Sequence, residues 1–145
     1  MILGLDPGRD KCGLAVMGLN RQLHYHQIVT SGQAIATIQA LQQQFSISLL
    51  VMGDQTTAKH WQQKLSQELP QALSVVMVDE RYTSLEARDR YWQMYPPKGF
   101  SRLLPQGLRQ PPRPVDDIVA ILLIERYLNR LAEAGVRGQG SGVRD

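Results

Sequence analysis

The chain has 145 residues, of which 43% are hydrophobic and 20% are charged. This length favours one globular domain and excludes a pair of actin-like ATPase lobes. The longest apolar run, 118–124, is too short to span a membrane, and the N-terminus lacks the pattern of a secretory signal. We therefore expect a cytoplasmic protein with no membrane partner. The net charge of +3 indicates only a mild preference for polyanions.

The N-terminal part of the chain is predicted to form a three-stranded antiparallel meander. Polar turns separate three apolar or alternating stretches, at 1–6, 12–17 and 22–30. The single cysteine, Cys12, lies in the second stretch, so a buried thiol is expected and an internal disulfide is excluded. His24 and His26 are two residues apart and would share one face of the third strand. Because no third ligand lies near them in sequence, a solvated face is favoured over a metal site.

Helical and strand patterns alternate along the rest of the chain. Helices are predicted at 32–45, 58–69, 83–95 and 116–134, and strands at 47–52 and 73–78. This succession implies an α/β fold with a five-stranded mixed sheet flanked by helices, in which three antiparallel strands precede two that are parallel to the first. Thr83 and Glu86 form a capping-box pattern at the third helix. We expect residues 1–134 to form a single domain and residues 135–145 a flexible tail.

The segment 96–114 has an unusual composition. It holds six of the eight prolines and no Asp or Glu, and its cations are Lys98, Arg102, Arg109 and Arg113. Because a loop this long in a compact domain is usually functional or disordered, an irregular structure is predicted. A basic segment without acids is typical of a contact with a phosphate backbone.

Three acids are predicted to meet at one edge of the sheet. Asp6 ends the first strand, Glu80 follows the fifth, and Asp116 begins the last helix. Since parallel strands end at the same edge, these carboxylates could gather around Mg²⁺ or Mn²⁺, which prefer oxygen ligands. Two such ions about 4 Å apart can hydrolyse a phosphodiester bond. The pattern therefore indicates a two-metal nuclease site.

Each acid also has a purely structural explanation. Asp6 could cap the turn that follows it, and Glu80 could pair with Arg81 at the surface. Asp116 and its neighbour Asp117 could cap the last helix and interact favourably with its dipole. Because a helix start can present either of two adjacent acids, Asp117 is a further candidate metal ligand.

The motifs that carry these acids resemble those of a known family. They are Ile-Leu-Gly-Leu-Asp-Pro-Gly at 2–8, Asp-Glu-Arg-Tyr-Thr-Ser at 79–84 and Val-Asp-Asp-Ile-Val-Ala at 115–120. In this order they resemble the YqgF/RuvX family of bacterial proteins, which have a ribonuclease H-like fold akin to the Holliday-junction resolvase RuvC and are regarded as pre-16S rRNA nucleases. The resemblance implies that Asp6, Glu80 and Asp116 are catalytic and bind the metal ions.

The resemblance and the charge pattern together indicate how nucleic acid would be held. Arg81 and Thr83 match the second motif, and they are implied to support or contact the substrate. The candidates for holding phosphates are Arg9, Lys11, Arg81, Lys98 and Arg102.

The sequence thus predicts a metal-dependent endonuclease acting on structured nucleic acid, with ribosomal RNA precursor as the expected substrate. The loop after Asp6 is closer to RuvC-like proteins than to the usual family pattern. An alternative hypothesis is therefore a Holliday-junction resolvase that acts on branched DNA. Gly53-Asp54-Gln55 replaces the Gly-x-Pro loop common in the family, which keeps open a non-catalytic nucleic-acid-binding module. Either a monomer or a homodimer is compatible with these patterns.

Overall fold

A five-stranded sheet forms the centre of the computed structural model, which describes residues 1–54 and 57–140. The strands are β1 (Ile2–Asp6), β2 (Lys11–Met17), β3 (Leu23–Thr30), β4 (Leu49–Gly53) and β5 (Ser74–Val78). Their order across the sheet is β3-β2-β1-β4-β5, in which β2 is antiparallel to both β1 and β3, while β4 and β5 are parallel to β1. The predicted mixed sheet of a ribonuclease H-like fold is confirmed.

Within the described ranges, four α-helices cover the two faces of this sheet. They are α1 (Ala34–Gln44), α2 (Ala58–Glu68), α3 (Thr83–Met94) and α4 (Asp116–Gly140). α1 and α2 pack on one face against side chains that include Leu3, Leu5 and Cys12. α3 and α4 pack on the other face, where Ile2 belongs to their core. The buried thiol predicted at Cys12 is confirmed, and burial raises its pKa.

The helix α4 contributes more buried side chains than any other element to the core on its face of the sheet. Its fully buried side chains include Ile118, Ile121, Leu123 and Ile124. Burying each of these side chains stabilises the fold by about 2 kcal/mol. No helix in the described part of the chain combines the length and the apolarity that a membrane span needs.

Two glycines allow α4 to approach the sheet closely. A Cβ atom on Gly4 would lie 2.5 Å from the carbonyl oxygen of Ala120, and one on Gly13 would lie 1.9 Å from that of Asp116. Both distances are well inside van der Waals contact, so a larger residue would push the helix away from the sheet. These glycines, in β1 and β2, therefore fix how closely α4 packs on the central strands.

The start of α3 differs from the prediction. Thr83 is the first helical residue instead of the N-cap, and Tyr82 precedes it in the left-handed conformation with φ of 65°. The Thr83 hydroxyl donates backwards to the carbonyl of Glu80 (2.7 Å), and Glu86 pairs with Arg126. The predicted capping box is therefore wrong, because both of its side chains bond to other partners.

The last two predicted regions differ in detail. α4 continues to Gly140, so residues 135–140 of the predicted tail are helical, while residues 141–145 lie outside the described residues. The segment 96–114 is largely irregular, as predicted, but it contains short 3-10 helices at Gly99–Leu103 and Gln106–Leu108.

We expect Gly13→Ala to lower the free energy of unfolding by about 3 kcal/mol, because its methyl group would overlap the backbone of Asp116. Urea unfolding followed by circular dichroism would measure the loss. Gly32→Ala is the matched control, since no heavy atom beyond the adjoining residues of the chain lies within 4 Å of the corresponding Cβ position. The control should stay within about 0.5 kcal/mol of the wild type. Equal free energies of unfolding of the two variants would show that the close contact at Gly13 does not stabilise the packing of α4 on the sheet.

Candidate functional site

Asp6 lies at the carboxyl end of β1, beside glycines of both neighbouring strands. Its register partner in β2 is Gly13. On the other side, Leu5 of β1 pairs with Met52 of β4. Because these strands are parallel, the next residue of β4, Gly53, lies beside Asp6. Asp6 itself is half-buried. Because residues 13 and 53 have no side chains, other parts of the protein can approach Asp6 from both directions.

The carboxylate of Glu80 occupies the space over Gly53. A Cβ atom at residue 53 would lie 2.5 Å from Oε2 of Glu80 and 3.1 Å from its carboxyl carbon. Glu80 therefore reaches from the loop after β5 across the end of β4. Arg81 pairs with Asp79 instead, with 2.9 Å between Nη2 and Oδ2. The hydrogen bonds from Arg81 hold the pKa of Asp79 below its usual value.

Asp116 approaches Asp6 from the opposite direction. It is the first residue of α4, and its backbone rests on Gly13, the register partner of Asp6. Burial raises the pKa of the Asp116 carboxyl group, and the positive charge of Lys11 acts against this rise. A carboxylate whose burial is only partly compensated by positive charge is one that a bound cation would stabilise.

These three acids have the donor chemistry that a divalent cation needs, but their carboxylates do not enclose a site for one. Asp6, Glu80 and Asp116 offer only oxygen atoms, the donors that Mg²⁺ and Mn²⁺ prefer. Within residues 1–54 and 57–140, no group of three His, Cys, Asp or Glu side chains forms a ready coordination shell. The opening over Gly53 and the donor set are therefore the features that favour a metal site here.

Asp117, the second acid of α4, has partners of its own. It is 2% exposed, its Oδ1 accepts from Arg113 Nη1 (2.9 Å), and its Oδ2 lies 2.6 Å from His26 Nδ1. Burial alone would raise its pKa, but the bonds from Arg113 and His26 outweigh burial, and the pKa is lowered. To act as a metal ligand Asp117 would have to give up these bonds.

The two histidines of β3 do not share a face, so that prediction is wrong. His26 contacts Asp117 on the side of α4, whereas His24 lies against Phe45, which belongs to the core on the opposite side (ring centroids 5.9 Å apart). The cause is a bulge in the pairing of β2 with β3, where the register shifts at 16–17 and His24 is the extra residue. His26 is in regular register with Ala15 and faces α4, whereas the bulge turns His24 to the opposite face.

The predicted phosphate-binding residues are all at the surface. Lys11 is exposed and lies close enough to Asp116 for its charge to affect the pKa of that acid. The side chain of Arg81 is 79% exposed, although it pairs with Asp79. The other exposed candidates are Arg9 in the turn after β1 and, in the segment 96–114, Lys98 and Arg102.

Two side chains hold the loop that carries Glu80, and the sequence singled out only one of them, Thr83. Arg126 Nη1 donates to the carbonyl of Asp79, and Nη2 to that of Arg81, both at 2.6 Å. Thr83 donates to the carbonyl between them, that of Glu80, and is 4% exposed. Thr83 thus supports the backbone of the loop, while its role towards the substrate stays a prediction. An arginine in the middle of a helix, remote in sequence from this loop, gives no signal of such a role.

We expect Asp117→Asn to lower the free energy of unfolding by about 3 kcal/mol at neutral pH, because it removes the charged acceptor of Arg113 and His26. The lowered pKa of Asp117 stabilises the fold above the unfolded-state value of about 3.9, and this contribution is lost as the pH falls through the lower folded-state value. The difference in the free energy of unfolding between wild type and variant, measured with urea, should therefore have its largest value at pH 6 and decrease towards about pH 2. A gap that does not change with pH would contradict a charge-based role.

Comparison with known proteins agrees with this architecture. A family model described as RuvX, Holliday junction resolvase, matches residues 1–130. No individually curated protein is similar enough to count as a match. The matched range contains Asp6, Glu80 and Asp116, and the family supports a nuclease-type hydrolase with nucleic acid as its partner. The family predicted from the motifs is confirmed: the chain belongs to the RuvX, or YqgF, family.

Proposed function

We propose that this protein is a metal-dependent endonuclease that hydrolyses phosphodiester bonds in structured nucleic acid. The observation that carries this proposal is the sheet edge around Asp6, where Glu80 lies over Gly53 and Asp116 rests on Gly13. Three acids from three separate elements are thereby brought to one edge. In a family of nucleases, such an edge is the expected place for the reaction.

In this proposal Asp6, Glu80 and Asp116 hold two Mg²⁺ or Mn²⁺ ions. Such ions lower the pKa of a bound water molecule and stabilise the leaving oxygen of a phosphodiester. The partly uncompensated burial of Asp116 supports its role as a ligand, since a cation would favour the ionised carboxylate there. The structural tie of Asp117 to Arg113 supports keeping it outside the ligand set.

Exposed cations would hold the phosphate backbone beside these acids. Lys11 is well placed for this, because its charge already acts on Asp116. The acid-free segment 96–114 adds further positive charge that could extend the contact along a strand. Besides Lys11, the residues we assign to phosphate contacts are Arg9, Arg81, Lys98 and Arg102.

We take ribosomal RNA precursor as the first candidate substrate. The support is the resemblance of the motifs at 2–8, 79–84 and 115–120 to YqgF proteins, which are regarded as pre-16S rRNA nucleases. Folded RNA also presents a dense, shaped phosphate surface that exposed cations can bind without reading bases.

A Holliday-junction resolvase is the second candidate, because this is how the matching family is described. Such an enzyme would cut two symmetric strands of a four-way DNA junction and would therefore act as a homodimer. Paired nicks in a four-way junction by a dimer, with folded RNA left intact, would favour this candidate over the first.

Metal binding and cleavage test the three acids together. We expect Mn²⁺ to bind the wild type in calorimetry and, at a hundredfold excess over Kd, to raise the free energy of unfolding by about 2.7 kcal/mol. Asp6→Asn, Glu80→Gln and Asp116→Asn should each reduce cleavage of folded RNA by about a hundredfold or more, since each removes a charged ligand. Glu68→Gln is the control, because Glu68 is exposed at the end of α2, towards the opposite edge of the sheet.

Two results would contradict this assignment. Cleavage that Asp6→Asn leaves unchanged would show that the reaction takes place elsewhere. Salt-sensitive binding of RNA that needs no metal, without any cleavage by the wild type, would support the non-catalytic binding module instead.

The role of the segment 96–114 can be tested separately by salt dependence. We expect the double variant Lys98→Ala, Arg102→Ala to weaken binding of different RNA sequences about equally, because phosphate contacts carry no base information. The slope of log K against log salt, measured by fluorescence anisotropy, should fall by about 1.5 for two lost contacts. Arg130→Ala removes an exposed cation from the C-terminal half of α4, away from the acidic edge, and should leave the slope unchanged. A slope that the double variant preserves would exclude this segment from the interface.

A further inference from the structure

The side chain of Arg126 joins α4 to the loop that follows β5. Its Nη1 donates to the carbonyl of Asp79 and its Nη2 to the carbonyl of Arg81, each at 2.6 Å. Nη2 also pairs with the carboxylate of Glu86 on α3. The Arg126 side chain is 26% exposed, and its bonds lie at the surface of the protein. A planar guanidinium can make such a set of bonds at fixed angles, which a lysine cannot.

The residue between the two carbonyls that Arg126 binds is Glu80. Its own carbonyl accepts from the Thr83 hydroxyl (2.7 Å) and from the Thr83 backbone amide (3.1 Å). All three successive carbonyls of the loop, from residue 79 to residue 81, are therefore held by side chains. With the backbone fixed on both sides, the Glu80 side chain leaves the loop in a set direction, and its carboxylate lies over Gly53.

The same helix also sets the position of Asp116. Its first turn rests on Gly13, the register partner of Asp6, and its middle binds the Glu80 loop through Arg126. Along a helix axis, ten residues correspond to about 15 Å. A regular helix has a fixed length, so the positions of Asp116 and of the Glu80 loop are coupled through α4.

We propose that Arg126 is a positioning residue, which aligns Glu80 with Asp6 and Asp116 by holding the loop backbone at residues 79 and 81. This inference rests on the proposed function, because it concerns the alignment of the acids assigned there to the metal ions. Arg126 acts through the loop and has no contact with the substrate in this scheme.

A second ion pair provides a matched comparison. Arg90 of α3 makes two hydrogen bonds to Glu125 of α4, at 2.9 and 2.8 Å. It joins the same two helices as the Arg126 pair with Glu86, and its side chain has similar exposure, 30% against 26%. It makes no bond to the carbonyls of the Glu80 loop. Loss of Arg90 should therefore weaken helix packing without moving Glu80.

The experiment compares Arg126→Gln, Arg126→Lys and Arg90→Gln with the wild type. Hydrogen exchange by NMR, without metal, follows the amides of Arg81 and Thr83, which bond to the Asp79 carboxylate and the Glu80 carbonyl. Calorimetry gives Kd for Mn²⁺, and thermal unfolding gives Tm. We expect Arg126→Gln to speed exchange at both amides and to raise the Kd about tenfold or more. Arg126→Lys should have exchange rates and a Kd between those of Arg126→Gln and the wild type. Arg90→Gln should lower Tm and leave both the Kd and the exchange of the loop amides unchanged.

The outcomes separate this inference from the function on which it rests. If the wild type binds Mn²⁺ and Arg126→Gln changes Kd no more than Arg90→Gln does, Arg126 is only a structural tie and the inference is overturned. If the wild type binds no Mn²⁺, the proposed function fails instead. Should Arg126→Gln not fold, Arg126→Lys carries the test: unchanged exchange and Kd in that variant would also overturn the inference.

Discussion

The backbone contact between α4 and the two central strands is the constraint on which the rest of the structure depends. Because residues 4 and 13 lack side chains, the carbonyl oxygens of Ala120 and Asp116 can lie directly against β1 and β2. The apolar side of α4 then packs on the sheet. Its first residue, Asp116, lies beside the end of β1, because Gly13 is the register partner of Asp6. Core packing and the geometry of the acidic edge therefore follow from the same close approach, and a change that loosened one would loosen the other.

Two adjacent acids at the start of α4 show how sharply the environment can differ within one helical turn. Neighbouring positions on a helix point about 100° apart, so Asp116 and Asp117 face different parts of the protein. Asp117 meets Arg113 and His26, and its pKa is lowered despite burial. Asp116 is partly buried without an equivalent partner, and its pKa is raised. The charge of Asp116 is thus the less compensated of the two. Asp117, through its bond to His26, holds the start of α4 against β3.

Much of the fold and the placement of the acids could be predicted from the sequence, because both depend on local patterns. Buried strands read as apolar runs, and Asp6, Glu80 and Asp116 stand where such elements end or begin. What could not be predicted depends on contacts across the fold. The bulge turns the side chain of His24 away from the face of His26 without any local sign in the sequence, and Arg126 resembles any other helical arginine until α4 is placed beside the Glu80 loop. Thr83 followed a known local pattern, but its hydroxyl bonds to the residue 80 carbonyl instead.

The three glycines at the centre of the molecule differ in what lies opposite them. Gly4 and Gly13 face backbone atoms, which cannot rotate away, whereas Gly53 faces the carboxylate of Glu80, a side chain that can. An alanine at residue 53 would therefore leave the fold largely intact and displace only the acid. The close packing of α4 therefore depends on the first two glycines, whereas the third leaves room for the carboxylate of the candidate site. A side chain at residue 53 would thus separate two properties that a change at residue 4 or 13 affects together, the stability of the fold and the position of the Glu80 carboxylate.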